Sequence, residues 1–438
     1  MKNELSKEMI DNLRRRVEEQ HEVPVVQRAV IKNGVYNASE NDKVRSKLNR
    51  TFSIELDTGK VSNQRHSGRC WIFSTMNILR HHFSNQYEVK DFEFSQAYIY
   101  FWDKIERANM FYQRIIDLAD RELEDRELQF YLNSPNSDGG QWAMAAAIVQ
   151  KYGVVPNDVM PETFNTKDTT GFANALNLKL RRDAIQLRQM KHRGASEAEL
   201  QAERELLLGQ VYQMTTIAVG TPPESFDFEY KDDNQKYHID RNITPLEFYD
   251  KYVGVDLDDY VVVTNSPDKP FNQLYSLPSQ DNVIGGKEIT FLNLPIQNLK
   301  ELAVDQLKDG ESIWFGNDVL EQMNRKDGLL DSELYKQDEL FGVALDMTKA
   351  ERMLYRQANV SHAMTLTGVD LIDGKTSKWK VENSWGEQNG DKGYFVMADN
   401  WFDDYVYEIV IQRKFLTKEQ LEIADSTPTP LKAWDALA

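Results

Sequence analysis

The chain is poor in cysteine, since Cys70 is the only one among its 438 residues. A single thiol excludes an intrachain disulfide and a thiolate-rich metal site, and it fits a reducing compartment. The seven histidines are scattered and show no spacing typical of metal ligands. We therefore expect no metal and no other cofactor, and the cytoplasm is the simplest location.

Long apolar runs are also missing. The opening stretch MKNELSKEMIDNLRRRVEEQ is charged throughout and lacks the apolar segment of a signal peptide. No later window approaches the uninterrupted apolar length that a membrane span requires. We expect a soluble protein with no membrane partner.

Positive charge is in deficit, because 52 Lys and Arg stand against 70 Asp and Glu for a net charge of -18. This balance repels phosphate backbones, so we expect no nucleic-acid partner. The remaining composition, 41% hydrophobic and 11% aromatic, is that of a globular protein. The length predicts a large core with insertions, or two to three subdomains.

The sequence around Cys70 predicts a helix that begins at this residue. Apolar residues recur at spacings of four, three and four on one helix face: Ile72, Met76, Leu79 and Phe83. Residues 67–69 supply a turn and a possible cap. A lone cysteine is by default a small buried hydrophobe, but a helix N-terminus lowers the pKa of a thiol and activates it.

Other segments predict a mixture of helices and strands. Residues 1 to about 50 are typical of one amphipathic helix followed by an irregular arm, and residues 170–219 of a helical hairpin. Strand patterns at 379–383, 393–397 and 405–411 predict an antiparallel sheet. The final stretch 427–438 predicts an extended tail.

A nucleophilic thiol needs a base, and His362 is the best candidate. His81 and His82 lie more than two helical turns beyond Cys70, and His66 fits a surface loop. His362 is a polar residue at the start of an apolar, strand-like run. That position equally suits a histidine satisfied within the core.

Three segments then occur in a suggestive order: Gln64-Arg-His-Ser-Gly-Arg-Cys70-Trp71, Ser361-His362-Ala363 and Glu382-Asn383-Ser384-Trp385-Gly386. Together they resemble the three catalytic blocks of the papain-like cysteine peptidases. The resemblance implies an α+β, papain-like two-lobed fold, with a helical lobe and an antiparallel β lobe.

The resemblance also implies roles for five residues. Cys70 would be the nucleophile, His362 its acid and base, and Asn383 the residue that orients the histidine. Gln64 matches the oxyanion-hole amide, and Trp385 matches the indole that shields the histidine–asparagine hydrogen bond. Without the resemblance, Gln64 is a surface loop residue and Trp385 a core residue.

A glycine pair, Gly139 and Gly140, resembles the family's element that hydrogen-bonds the substrate backbone. By itself it is an ordinary turn. Secreted members of the family have a disulfide-forming cysteine at the positions of Ser67 and Ser137. Serine at both positions agrees with a cytosolic relative.

A closer resemblance, to the bleomycin hydrolase and bacterial aminopeptidase C group, extends over essentially the whole chain. It is carried by residues 91–98, 101–104, 138–142, 152–156, 314–316, 379–386 and the terminal Ala-Leu-Ala438. It implies peptide substrates and a homohexameric ring around an internal chamber. It also implies that the carboxylate of Ala438 pairs with the amino group of the substrate, so that one residue is removed at a time.

The tail departs from the pattern of these aminopeptidases, because Trp434-Asp435 runs straight into Ala436. A tail shorter by about three residues reaches about 10 Å less when extended. We favour an aminopeptidase, and the alternative is an endopeptidase or oligopeptidase. A non-catalytic or nucleic-acid-binding ring is a third class, which the acidic charge and the intact Cys-His-Asn-Gln set oppose.

The patterns and the resemblance together predict five segments. They are an N-terminal arm (1–55), a helical lobe with Cys70 (56–165), a helical insertion (166–225), a β lobe with His362 and Asn383 (226–424) and a C-terminal tail in the active-site cleft (425–438).

Overall fold

Helices dominate the first half of the chain and strands the second, in the computed structural model that describes residues 4–438. This segregation is the predicted α+β class, which is therefore confirmed. The α-helices are α1 Lys7–Glu18, α2 Val23–Asn33, α3 Val35–Ser39, α4 Asp42–Lys47, α5 Cys70–Tyr87, α6 Gln96–Asp117, α7 Arg126–Asn133, α8 Trp142–Tyr152, α9 Phe164–Lys167, α10 Thr170–His192, α11 Glu197–Val219, α12 Pro245–Tyr252, α13 Ile296–Lys308, α14 Gln337–Phe341, α15 Lys349–Leu354, α16 Asp399–Tyr405 and α17 Lys418–Ala424.

The strands form one large sheet and a separate two-stranded ribbon. They are β1 Ile54–Glu55, β2 Phe226–Lys231, β3 Tyr237–Ile243, β4 Tyr260–Thr264, β5 Gln273–Ser276, β6 Thr290–Asn293, β7 Ile313–Asn317, β8 Met323–Asn324, β9 Leu329–Leu330, β10 His362–Ile372, β11 Lys375–Glu382, β12 Tyr394–Ala398, β13 Val406–Gln412 and β14 Thr429–Pro430. The sheet order is β14-β5-β6-β4-β13-β7-β10-β11-β12-β9-β8, β1 pairs with β10, and β2 pairs with β3.

Helix α5 lies where the helical half meets the sheet. It packs against α6 and α8 on one side and against β10 on the other. The hydroxyl of Ser74 donates to the carbonyl oxygen of Met364 at 2.8 Å, and the indole N–H of Trp314 donates to the carbonyl oxygen of Trp71 at 3.3 Å. The start of α5 is thereby fixed against the start of β10.

The predicted helical hairpin is confirmed as α10 and α11, which pack on α6. The turn between them contains Gly194 at a φ of +83°, a conformation that favours glycine. Ser196 and Glu199 then form a capping box that starts α11.

The N-terminal arm differs from the prediction of one helix and an irregular segment, which is wrong for its second part. After α1, three more helices follow before residue 48. Gly34, at a φ of +80°, ends α2, and the side chain of Asn41 caps α4. The side-chain periodicity of such short helices is too brief to detect in the sequence.

The strands predicted in the last third are confirmed as β11, β12 and β13. β11 pairs antiparallel with β12, whereas β13 pairs antiparallel with β4 and β7. Helix α16 between β12 and β13 carries the chain across the sheet to its new neighbours.

Candidate active site

Cys70 is the first residue of α5, as the apolar periodicity predicts. It is a free cysteine with 9% of its surface exposed. The N-cap residue is Arg69, and no side chain caps the helix, so the cap predicted from residues 67–69 is wrong. The buried Arg69 instead donates to the carboxylate of Glu162 at 2.9 and 2.6 Å, which fixes the turn before Cys70.

His362 is the first residue of β10, and Asn383 follows the last residue of β11. The two are joined by a 2.9 Å hydrogen bond between His362 Nε2 and Asn383 Oδ1. The ring of Trp385 lies over the imidazole with centroids 4.8 Å apart. The bond to Asn383 occupies Nε2 and leaves Nδ1 for other contacts.

Cys70 and His362 lie on the walls of one cavity of about 340 Å³. Its lining includes Gln64, Cys70, Gly139, Gly140, His362 and Trp385. Six of the residues singled out from separate parts of the sequence thus come together. The thiol of Cys70 and the imidazole of His362 therefore line the same cavity.

Burial in the cavity favours the uncharged form of both reactive groups. The position of Cys70 at a helix start predicts a lowered thiol pKa, but burial outweighs the backbone N–H groups and raises it. Burial also lowers the pKa of His362 to about 4, against the effect of its bond to Asn383. Transfer of the proton from sulfur to imidazole creates no net charge, so burial opposes this paired ionisation less than it opposes a single charge on either group.

Gln64 bridges the two halves of the site. Its backbone N–H donates to the carbonyl oxygen of Ser384 at 2.8 Å, and its Oε1 accepts from the hydroxyl of Ser384 at 2.6 Å. Its Nε2 donates to the carbonyl oxygen of Ser67 at 2.6 Å. An amide nitrogen carries two hydrogens, so a second N–H remains for another acceptor.

The glycine pair is held by an arginine that the sequence patterns do not reveal. Arg107 Nη2 donates to the carbonyl oxygen of Gly139, while its Nε donates to Asp103 at 2.8 Å. A Cβ at Gly140 would lie 2.7 Å from the indole of Trp71, so a side chain there would require the indole to shift. The only sequence signal for Arg107 is its spacing of four from Asp103 on α6.

A second buried network lies beside Asn383. Arg80 Nη2 donates to the carboxylate of Glu382 at 2.6 Å, and His81 Nε2 lies 3.2 Å from the same carboxylate. His81 Nδ1 also bonds the hydroxyl of Ser312 at 2.6 Å. His81 is therefore engaged away from Cys70, and its network fixes the end of β11.

The end of the chain lies next to this cavity. Ala438 lines a neighbouring cavity of about 320 Å³, and Gly139, Gly140 and Gln141 line both cavities. The side chain of Leu437 is completely buried, and its carbonyl oxygen accepts from Gln141 Nε2 at 3.3 Å. The short tail thus extends as far as the glycine pair.

Within residues 4–438, no helix is both long and apolar enough to cross a membrane. The same residues contain no group of three or more His, Cys, Asp or Glu side chains arranged to hold a metal ion.

A helix that begins at a cysteine, facing a histidine–asparagine pair on a sheet, is the arrangement of the papain-like cysteine peptidases. The model of the Peptidase C1-like family matches residues 4–438. The chain is 57% identical to Aminopeptidase E of Lactobacillus helveticus over 94% of both chains. It is 45% identical to Aminopeptidase W of Lactobacillus delbrueckii subsp. lactis over 100% of both.

The crystal structure of PepW from Lactobacillus rhamnosis HN001 superposes with a TM-score of 0.98 at 46% identity, covering 100% of this chain and 99% of that one. The chain belongs to the Peptidase C1-like family, and it is a cysteine peptidase.

Proposed function

We propose that the chain is an aminopeptidase that removes N-terminal residues from short peptides through an acyl-enzyme on Cys70. The observation that carries the proposal is the location of Ala438 beside Gly139 and Gly140, in the cavity next to Cys70. A carboxylate at this position meets the ammonium group of a peptide that begins there. An ion pair of this kind favours a free N-terminus and opposes a chain that continues past it.

The proposed reaction uses four side chains. Nδ1 of His362 takes the proton of Cys70, and Sγ attacks the scissile carbonyl carbon. The backbone N–H of Cys70 and the second N–H of Gln64 Nε2 stabilise the oxyanion. His362 then protonates the leaving amine and later activates the water that hydrolyses the thioester, while Asn383 holds the ring in place.

Two further features support binding of an extended peptide and protection of the site. Gly139 and Gly140 line the cavity wall, where the absence of side chains lets a peptide backbone approach closely. Trp385 covers the imidazole and keeps water from its bond to Asn383.

The basis of the endopeptidase alternative is the short tail. The burial of Leu437 and the location of Ala438 weaken that alternative, because they favour a cleft that the tail blocks. The names of the similar proteins, Aminopeptidases E and W among them, support the same choice.

We also propose a cytoplasmic location, a homohexameric assembly and a division of the chain into five segments. The single cysteine supports a cytoplasmic location, and the net charge of -18 opposes nucleic-acid binding. Exposed apolar side chains on α1 support a homohexamer. The division into segments 1–55, 56–165, 166–225, 226–424 and 425–438 is supported by the helices and strands that each contains.

The test is cleavage of one peptide with a free and with an acetylated N-terminus, followed by mass spectrometry. A thiol-alkylated sample is the control for Cys70. Release of single N-terminal residues from the free form alone supports the aminopeptidase. Internal cleavage of the acetylated form at a comparable rate overturns it and favours the endopeptidase.

A further inference from the structure

The final residues are held against the sheet before they reach the cavity. β14 pairs in parallel with β5, and the backbone N–H of Leu431 donates to the carbonyl oxygen of Ser276 at 2.8 Å. These bonds fix where the tail leaves the sheet. They leave the path of residues 432–438 undetermined.

An ion pair fixes the next point of the tail. Lys269 Nζ lies 2.9 Å from Asp435 Oδ1, and the two side chains are only 11% and 17% exposed. Lys269 also contacts Asp268 at 2.8 Å. A largely buried pair is screened less by solvent than an exposed one, and removing one partner leaves the other charge uncompensated.

The residue before Asp435 contacts the helical half of the molecule. The guanidinium of Arg126, the first residue of α7, lies 3.8 Å from the ring centroid of Trp434. Trp434 and Asp435 therefore each bind one cation: Trp434 contacts Arg126 of α7, and Asp435 pairs with Lys269 of the loop between β4 and β5.

The same aspartate shapes the end of the chain. Asp435 Oδ1 accepts from the backbone N–H of Leu437 at 3.1 Å, and the carbonyl oxygen of Asp435 accepts from the N–H of Ala438 at 3.1 Å. One carboxylate oxygen thus joins Lys269 to the turn that ends in Ala438. That oxygen therefore acts together with the burial of Leu437 and its bond from Gln141 in holding the end of the chain.

We propose that Lys269 and Asp435, with Arg126 and Trp434, are positioning residues that determine specificity by locking the tail across the cleft. This inference rests on the proposed aminopeptidase function. When the lock is intact, a peptide chain can extend only in the direction of the leaving group. When it is broken, the tail leaves the cleft, and a chain that passes Cys70 in both directions is accepted and cut internally.

The test compares Lys269→Met, which removes the charge and keeps the length, with Lys269→Arg, which keeps the charge. Lys414→Met is the matched control, because Lys414 pairs with Asp309 at an exposed site. The readout is the ratio of kcat/KM for free and acetylated forms of one peptide. We expect Lys269→Met to lower this ratio at least tenfold, mainly through a higher KM for the free form and new cleavage of the acetylated form.

Lys269→Arg and Lys414→Met should keep the wild-type ratio. A wild-type ratio in a folded Lys269→Met protein overturns the inference. If that variant does not fold, Asp435→Asn replaces it, with the same expected loss of ratio and the same contrary outcome.

A second readout does not depend on activity. Carboxypeptidase digestion followed by intact mass should remove Ala438 and Leu437 faster from Lys269→Met than from the wild type or Lys414→Met. Equal trimming rates overturn the lock. If the wild type cuts acetylated peptides as readily as free ones while trimming differs between the variants, the aminopeptidase proposal and the role of the lock in specificity fail, and only the anchoring of the tail by Lys269 stands.

Discussion

At the scale of single residues, the proposed mechanism depends most strongly on the sulfur of Cys70, which is its nucleophile. Cys70→Ala should lower kcat/KM by about three orders of magnitude or more, because only binding and oxyanion stabilisation remain. Steady-state kinetics on a free peptide measure the loss, and circular dichroism checks the fold. Asn383→Ala should lose less, because it removes orientation and not the reacting group. Full activity of Cys70→Ala would contradict the mechanism.

The protonation of His362 sets the acid limit of activity. Burial lowers the pKa of His362 to about 4, so the imidazole stays neutral and able to accept the Cys70 proton at higher pH. We expect kcat/KM to remain level down to about pH 5 and to fall below it with an apparent pKa near 4. Recovery of activity on return to pH 7 excludes acid unfolding as the cause. A fall centred near the ordinary imidazole value of about 6.5 would show that the site is more open to water.

Glu408 on β13 is a buried carboxyl with no hydrogen-bond partner for either oxygen among residues 4–438. Burial raises its pKa from 4.5 to about 8. The folded state therefore keeps a proton that the unfolded state has released, and the stability of the fold decreases as the pH rises between these two values.

Glu408→Gln keeps the shape of the side chain without its titration. Relative to the wild type, its free energy of unfolding should rise between pH 5 and 8, by up to about 1.4 kcal/mol per pH unit. Urea unfolding at pH 5, 6.5 and 8 measures the difference. A constant difference across these pH values would mean that Glu408 titrates normally.

Prediction from sequence succeeds for residues whose signal is local. Cys70, His362 and Asn383 each stand in a short contiguous motif, and the structure brings all three to one site. Arg107 and Lys269 have no such motif. Their importance comes from Gly139 and Asp435, which lie far along the chain and become neighbours only in the fold.

At the scale of elements, the loop before α8 and the start of α5 are packed without spare space. A Cβ at Gly140 would lie 2.7 Å from the Trp71 indole, whereas one at Gly139 would have Ser137 Oγ, at 3.7 Å, as its nearest neighbour. Gly140→Ala should therefore destabilise the protein by about 1–3 kcal/mol, and Gly139→Ala, the matched control, should leave stability nearly unchanged. Denaturant midpoints compare the two. Equal midpoints would show that the indole can move aside at no cost.

Long periodic elements are predicted well and short ones poorly. Helices α5, α10 and α11 follow from apolar spacing and composition. The helices of the N-terminal arm and the pairing of β13 with β4 and β7 do not, because a few residues carry too little pattern and strand order depends on distant partners.

At the scale of the whole molecule, the reach of the C-terminal tail depends on its path as well as on its length. A shorter tail predicts a shorter reach only if the chain is extended. Here the tail ends in a turn at Asp435, and Ala438 still lines the cavity beside the glycine pair, so the shorter tail suffices. The resemblance to a family predicts the two lobes, but the end of the tail depends on particular side chains that anchor it.

The assembly state of the whole molecule can be inferred from a single chain only through its exposed surface. Helix α1 has no buried residue, and three of its apolar side chains, at a spacing of four, are 47–51% exposed: Met9, Leu13 and Val17. A 12-residue helix is marginal in water without packing, so this stripe requires a partner surface, which we propose to be a second copy of the chain.

The double variant Met9→Glu, Leu13→Glu should therefore disrupt the assembly. Light scattering after gel filtration should give six times 50.8 kDa for the wild type and a smaller mass for the double variant. Ile372→Glu, at a 58% exposed residue of the β10–β11 hairpin, is the control for adding an acid to the surface and should keep the wild-type mass. Because Cys70, His362 and Asn383 all lie within one chain, the dissociated variant should still cleave a free dipeptide. A wild type that elutes as a monomer, or a double variant of unchanged mass, would contradict the role of this stripe.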